Sequence, residues 1–439
     1  MTKYLVAILG AFFLSSISIQ AKKWTYEECL DYCLTNNISL QKLGLTRQTA
    51  LETLKSSQAA LFPSLNFTTN QNVAYQPWKQ GMTVQNNEIQ TVTKKTSYNG
   101  AYTLGGSWTV WNGNRNHNQV KLNDLSEQAA AEDSVVKARN LEEQLALLFV
   151  KILYSEEAVK VSQQTLEASK VNEERGKEMV RVGSMSKADL SQLTSQRAQD
   201  EYGLVQSESN VRNFKRQLKA LMQITDEEEF EVVGGEATDA MALQTIPSVQ
   251  SVYELAIVNR PEIKRARLAI ESADIQKRIA SAQYLPTVSL NASATTNSSS
   301  QNNNAWGTQL KNGFNLGGGF SINVPIIDQR AAKTAVNKAN IQKQQAILDI
   351  RDKETTLYST ISDYWIQAYN NQQQYKSAKA SSESAQESYD LLSEQFNLGL
   401  KNVVELQEGK MRLLNALQSE LQAKYTAIIC IKMLELYKR

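Results

Sequence analysis

The sequence predicts a membrane β-barrel joined to an α-helical coiled-coil barrel, assembled from two tandem structural repeats, each helix, β-hairpin, long helix, helix. Three observations carry this fold class. The chain repeats itself: residues 36–67 run against 259–290 without a gap, Pro63 meeting Pro286, and Val180, Gly183, Asp189 and Leu190 run against Phe396, Gly399, Glu405 and Leu406 at nearly the same offset. A unit of about two hundred residues is far longer than the roughly 20–50 of a solenoid repeat. Residues 114–182 and 329–397 contain no proline, and as helices rising about 1.5 Å per residue each would reach roughly 100 Å. Between the helical patterns lie segments whose apolar residues alternate, the period of a strand with one apolar face.

The elements follow in order. Residues 1–21 hold Lys3, an apolar run from Leu5 to Phe13 and Ile19-Gln20-Ala21 ahead of Lys22-Lys23. That is the pattern of a signal peptide, too short to be a spanning helix. No cysteine directly follows the cleavage site, which disfavours lipid-anchored export. The first repeat, 22–230, opens with a helical pattern over about 25–61 that Pro63 closes. It continues with strands over about 64–78 and 98–111, a long helix over about 114–182 and a return helix over about 187–224. A linker over 231–247 leads to the second repeat, 248–439: a helical pattern over about 248–284 closed by Pro286, strands over about 287–296 and 312–326, a long helix over about 329–397 and a return helix over about 403–437.

The long helices carry coiled-coil seams. Leu141, Leu145, Leu148 and Ile152, and likewise Ile347, Ile350, Leu357, Ile361, Tyr364 and Ala368, step by threes, fours and sevens. Two shorter helices end to end match one long helix in length, which suggests short pairs stacked beside each long one. In the last strand, Leu316, Phe320, Ile322 and Val324 share one face and Asn315, Ser321 and Asn323 the other, the requirement for a strand between lipid and an aqueous lumen. Tryptophans and tyrosines near strand ends suit an interfacial girdle. The stretches 79–97 and 296–311, rich in Asn, Gln, Ser and Thr, read as solvent loops on the cell-exterior side.

Composition narrows the function. Lys and Arg number 47 against 45 Asp and Glu, so no electrostatic case for nucleic acid arises. Three cysteines, Cys29, Cys33 and Cys430, do not make a disulfide framework. Cys29 and Cys33 read as small helix-face residues rather than a metal pair, because the one histidine, His117, is remote in sequence. There is no G-x-S-x-G and no P-loop, and Gly317-Gly318-Gly319 leads into a strand rather than a helix N-terminus. No enzyme, cofactor or metal is expected.

Four strands per chain cannot close a membrane barrel, which needs at least roughly eight and leaves no free edge. The chain must therefore oligomerise, with two, three or four copies giving about eight, twelve or sixteen strands.

This order of elements resembles the TolC-like outer-membrane efflux protein family across essentially the whole mature chain. The most specific carriers are the paired junctions Leu61-Phe62-Pro63-Ser64-Leu65 and Tyr284-Leu285-Pro286-Thr287-Val288, and the paired turns Val182-Gly183-Ser184 and Leu398-Gly399-Leu400. The resemblance implies a homotrimer in outer-membrane lipid, a twelve-stranded barrel continuous with a periplasmic tunnel, and docking of those turns to a periplasmic adaptor and inner-membrane pump. Pro63 and Pro286 mark the passage from helix to barrel. At the tunnel's constricted end the family holds neighbouring helical pairs with a Tyr, an Arg and an Asp beside acidic rings. Asp189 stands where that Asp is expected, Phe396 where Tyr is common, Lys401 where Arg is usual, and Glu405 and Glu408 at the acidic ring. Phe396 has no hydroxyl and Lys401 cannot pair bidentately, so the resemblance implies a looser latch, Lys401 with Asp189 and packing of Phe396. The alternative reading of Glu405 and Glu408 is a solvated helix face, and that of Asp189 a first-turn acid favoured by the helix dipole.

The expected function is the exit duct of a tripartite export system for small molecules such as drugs, toxic compounds or metals, in a Gram-negative outer membrane. A type I protein-secretion duct of the same fold and a non-channel periplasmic coiled-coil scaffold are the alternatives; a scaffold has no use for four lipid-facing strands.

Overall fold

The computed structural model describes residues 22–78, 81–85, 88–92, 95–225, 230–234 and 238–439. The expected signal peptide, and parts of the expected loop 79–97 and linker 231–247, lie outside them. In chain order the elements are β1 (Lys22–Trp24), α1 (Tyr26–Asn36), α2 (Ile38–Ala59), β2 (Ser64–Tyr75), β3 (Gly81–Gln85), β4 (Glu88–Val92), β5 (Thr96–Trp111), α3 (Arg115–Arg181) and α4 (Lys187–Leu221). There follow β6 (Phe230–Val232), α5 (Asp239–Ala242), α6 (Val249–Asn259), α7 (Pro261–Ser281), a 3-10 turn (Ala282–Tyr284), β7 (Thr287–Ser299), α8 (Trp306–Asn312), β8 (Asn315–Asn323), α9 (Ala331–Asn397) and α10 (Val403–Lys438). No helix among the described residues is long and apolar enough to cross a membrane.

Several elements depart from the sequence reading, each for a physical reason. The helix expected over about 25–61 is two helices broken at Asn37, which leaves the helical region. The Asn37 side chain accepts hydrogen bonds from the backbone of Ser39 and Leu40 and donates one to the Leu221 carbonyl at 3.3 Å, so it starts α2 while tying it to α4. The helix expected over about 248–284 breaks at Arg260, because the proline that follows disfavours a helical conformation in the residue before it, and Pro261 then occupies the first turn of α7. The expected solvent loop 79–97 contains the antiparallel pair β3–β4, and α8 occupies part of the loop 296–311. The linker 231–247 contains α5.

The chain divides into two compact units, one comprising residues 42–136 and 257–357, the other the remaining described residues. The first contains an antiparallel sheet in the order β2-β5-β7-β8. Its register sorts side chains cleanly by face. Phe67, Leu104, Ala294 and Leu316 form one row, with Leu65, Gly106, Ala292 and Gly318 in the next row of the same face and Trp108, Leu290 and Phe320 beyond it. The opposite face carries rows such as Asn66, Gly105, Ser293 and Gly317. The apolar side is bare: Leu316 is 76% exposed and Phe320 75%. Among the described residues, strands β2 and β8 each have a partner on one side only. Below the sheet, ion pairs tie the helices of this unit together: Arg47 to Glu127 at 2.6 Å, Arg265 to Asp133 at 3.1 Å and Lys343 to Asp274 at 2.7 Å. Gly113 joins β5 to α3 with φ at 66°, and a Cβ there would meet Leu285 at 2.8 Å, so glycine lets the start of α3 sit against the end of α7.

The second unit, residues 22–41, 137–256 and 358–439, is helical. Its largest core cluster joins Trp24, Cys29 and Cys33 to Leu141, Leu145, Phe149 and Ile152 of α3 and to Leu218 and Met222 of α4. The parallel pairing of β1 with β6 sets Trp24 beside Val232 in register. Cys29, Cys33 and Cys430 are free and buried; burial pushes the Cys29 thiol up to about 12 and raises that of Cys33. They are core residues with suppressed reactivity.

Two polar nodes fix this unit. Asp239 of α5 accepts from the Tyr375 hydroxyl at 2.6 Å and pairs with Lys379 and Lys424, while Gln372 donates to the carbonyls of Ala242 and Gln244. These bonds strap the segment between the repeats onto α9 and α10. Lys379, the largest cause, and Tyr375 hold the Asp239 carboxyl well below the usual carboxylate range. The second node is buried: the Lys410 ammonium donates to Asp200 and Ser169, with Lys410 and Asp200 side chains 6% and 7% exposed. Gln196 donates to the other Asp200 oxygen at 3.0 Å.

A carboxyl whose folded pKa is depressed adds stability above its unfolded value and loses it as pH falls through the folded one. Protection of residues 238–247 in limited proteolysis should therefore persist down through pH about 4, the ordinary aspartate value, and Asp239→Asn should expose the segment already at neutral pH. At the buried node, removing one partner strands the other charge. Lys410→Met should cost about 3 kcal/mol, read as a lower melting temperature of the purified protein, and Lys410→Met combined with Asp200→Leu should recover most of it.

Candidate functional site

The two helical hairpins of the second unit end in turns built by the same local rule. Each long helix runs until a glycine takes the left-handed conformation, Gly183 with φ at 78° and Gly399 with φ at 77°. The following residue then reaches back five positions, Ser184 N–H to the Met179 carbonyl at 2.8 Å and Leu400 N–H to the Gln395 carbonyl at 2.9 Å. The glycine itself bonds three back, Gly183 to Val180 at 3.1 Å and Gly399 to Phe396 at 2.9 Å. These are Schellman endings, and they satisfy carbonyls that the finished helix leaves open. Three residues beyond each glycine a side chain caps the return helix: Ser186 accepts from Asp189 N–H, and Asn402 from Glu405 N–H.

Asp189 and Glu405 are therefore equivalent, each the third residue of its return helix, where a carboxylate meets free N–H groups and the positive end of the helix dipole. Their partners differ. Asp189 accepts from the Ser186 hydroxyl at 2.8 Å. Glu405 closes a full capping box with Asn402 and also takes the Lys401 ammonium at 2.6 Å, and Lys401, the larger cause, with the Asn402 backbone lowers its pKa. Within one chain, then, Lys401 is bonded to Glu405 rather than to Asp189. Glu408 lies exposed with Arg412 at 3.7 Å.

Phe396 does pack. It is 0% exposed, in a cluster with Met179, Leu193, Tyr389, Val403 and Leu406. The turn residues face solvent by contrast: Val182 is exposed, as are Leu398 and Leu400, with Leu398 at 74%. Pro63 and Pro286 stand directly before the first residues of β2 and β7, and Leu285, ahead of Pro286, is extended as a pre-proline residue should be.

The structure adds residues that no motif signals. Arg175 donates to the Asn397 carbonyl at 2.8 Å, Gln192 to Gln407 at 2.7 Å, and Asn172 to the Tyr389 hydroxyl at 3.3 Å. All three bonds join the first repeat to the second near the turns. Glu173 gathers Arg197 at 2.8 Å and Thr194 at 3.1 Å, which ties α3 to α4. Arg, Gln and Asn on long helices look like ordinary solvated positions in sequence; only the partner repeat identifies them.

A model of the family described as outer membrane efflux protein matches residues 252–431. The outer membrane protein TolC of Vibrio cholerae is 22% identical over 414 residues, covering 91% of this chain and 87% of that one. Among solved structures, the CmeC outer membrane channel of Campylobacter jejuni superposes with a TM-score of 0.77 at 17% identity over 94% of this chain and 85% of its own. The outer membrane protein VceC of Vibrio cholerae does so with a TM-score of 0.75 at 16% identity, over 94% of both chains. The whole described chain thus shares its fold with outer-membrane channels, and a family model covers most of its second repeat. Over residues 252–431 the chain matches the outer membrane efflux protein family, and over nearly its whole length it is similar in sequence to an outer membrane protein and in fold to outer-membrane channels.

Proposed function

We propose that three copies of this chain close into a twelve-stranded barrel continuous with a helical tunnel, forming the exit duct of a tripartite export system. The observation that carries this reading is the sheet β2-β5-β7-β8. It offers lipid one apolar face, offers a lumen one face of Asn, Ser, Thr and Gly, and leaves an unmatched edge at each end. Open edges cannot persist in hydrocarbon, so β8 of one copy pairs with β2 of the next until the ring closes. Four strands from each of three copies lie within the range of known membrane barrels.

The two glycine turns form the end of the tunnel that meets a periplasmic adaptor and its inner-membrane pump. Exposed Val182, Leu398 and Leu400 with Gly183, Ser184 and Gly399 offer a small apolar knob on each hairpin, suited to an adaptor groove. Asp189, Phe396, Lys401, Glu405 and Glu408 make up the gate. Phe396 anchors the hairpin internally, while the exposed carboxylates and Lys401 are free to exchange partners between neighbouring helical pairs. Small molecules are the cargo this reading favours, in line with the efflux family whose model matches residues 252–431.

Native mass spectrometry of the detergent-extracted protein should find three copies, and a soluble monomer in the periplasmic fraction would sink the duct. In planar bilayers the channel should be cation-selective, with divalent cations blocking from the side bearing the turns. Glu405→Gln with Glu408→Gln should reduce that selectivity several-fold; unchanged selectivity would remove both residues from the pore.

A further inference from the structure

A cleft far in sequence from the two glycine turns gathers more cations than anions. It lies in the sheet-bearing unit, where the first two turns of α3 meet the last turns of α7 below the central strands β5 and β7. Its volume is about 930 Å³, and its walls are Asn114, His117 and Lys121 on one side and Asp274, Lys277 and Arg278 on the other. His117 and Lys121 of α3 are four residues apart and Asp274 and Lys277 of α7 are three apart, so each pair shares a helix face, and all four line the same opening.

The cleft carries a surplus of positive charge. Asp274 is shared between Lys343 at 2.7 Å and Arg278 at 3.1 Å, so Lys343 alone already balances it. That leaves the charges of Lys121, Lys277 and Arg278 around one opening. No ion pair or side-chain hydrogen bond engages Lys121, Lys277 or His117 among the described residues. Cations facing one another across a groove repel, and a bound anion relieves that repulsion. A fork-shaped guanidinium flanked by two ammoniums and two side-chain amide or imidazole donors matches the oxygens of a phosphate.

The position of the cleft says where such an anion comes from. Trp111 ends β5 and Tyr284 precedes β7, and both aromatic rings are exposed. Amphipathic rings at the end of an apolar face mark the level of lipid headgroups, and Asn114 and His117 lie within a turn or two of Trp111. The cleft lies under the inner pair β5 and β7, away from the outer strands β2 and β8 at which the proposed ring would close.

We propose that this cleft is a binding site for a phosphate-bearing anion, either the headgroup of a phospholipid at the membrane surface or a soluble phosphate compound. Two arms separate the sources. In the first, protein in phosphatidylcholine nanodiscs doped with phosphatidylglycerol is released into native mass spectrometry and the retained lipids are identified. In the second, protein in detergent is titrated with inorganic pyrophosphate by calorimetry. Retention of phosphatidylglycerol over phosphatidylcholine assigns a headgroup, and pyrophosphate binding alone assigns a soluble ligand. In whichever arm the wild type binds, Lys121→Ala with Lys277→Ala should weaken binding at least about tenfold, since each loses a charge-assisted hydrogen bond. Lys121→Arg with Lys277→Arg should restore it. No binding in either arm, equal binding by wild type and the alanine variant, or equal loss in the arginine variant would overturn the proposal.

Discussion

Lipid offers no hydrogen bond to the edge of a β-sheet, and this chain presents two such edges, at β2 and β8. Each backbone group left unmet in hydrocarbon costs several kcal/mol, so an isolated sheet with a bare apolar face has no stable place in a bilayer. Much else in the chain answers to that constraint. Pro63 and Pro286 stand just ahead of β2 and β7, where a helix cannot continue and the residue before proline favours an extended backbone, so that strands begin where the apolar alternation begins. One face places Leu and Phe beside Gly and Ala, and the other is small and polar, so one sheet offers two faces suited to two different solvents.

The duplication gives each half a hairpin of strands and a hairpin of helices, and the helical turns show how far the equivalence reaches. Gly183 and Gly399, Ser186 and Asn402, and Asp189 and Glu405 do the same structural tasks. The position two after the glycine breaks the symmetry. In the first repeat Met185 packs onto the core cluster, and in the second Lys401 pairs with Glu405. The capping carboxylate is thus required by helix chemistry in both halves, while the cation that can compete for it stands in one half only.

The long helices and glycine turns were legible because their signals are local and repeated: no proline, a seam at steps of three and four, and a glycine where a left-handed residue is needed. The apolar face of the strands was legible from simple alternation. What escaped depends on partners distant in sequence. Asn37 looks helix-compatible until its amide finds the Leu221 carbonyl. Lys410 reads as a solvated cation, yet α3 and α4 enclose it with Asp200 and Ser169. The pair β3–β4 hides in a polar stretch whose composition resembles a loop. At the two glycine turns the pairing within the chain is Lys401 with Glu405, an i,i+4 contact on a helix start, because a neighbour one turn away is always within reach whereas Asp189 belongs to another hairpin.

That pairing also separates the parts of α10 that can rearrange from those that cannot. Lys401 and Glu405 are more than a third exposed, so water can take over either partner and the contact is readily exchanged. Lys410, barely more than a turn beyond Glu405, is enclosed with Asp200, and parting them would leave two charges without solvent or counter-ion. The hydrophobic cluster around Phe396, Leu406 and Tyr389 lies at the same level and adds packing that a moving helix would have to break. A rearrangement at the turn can therefore exchange the Lys401 and Glu405 contact with little cost, whereas displacing the segment at Lys410 requires disrupting both a buried ion pair and a packed core. The physical boundary between a compliant tip and a fixed helical body falls between Glu405 and Lys410, set by the change in solvent exposure along a single helix.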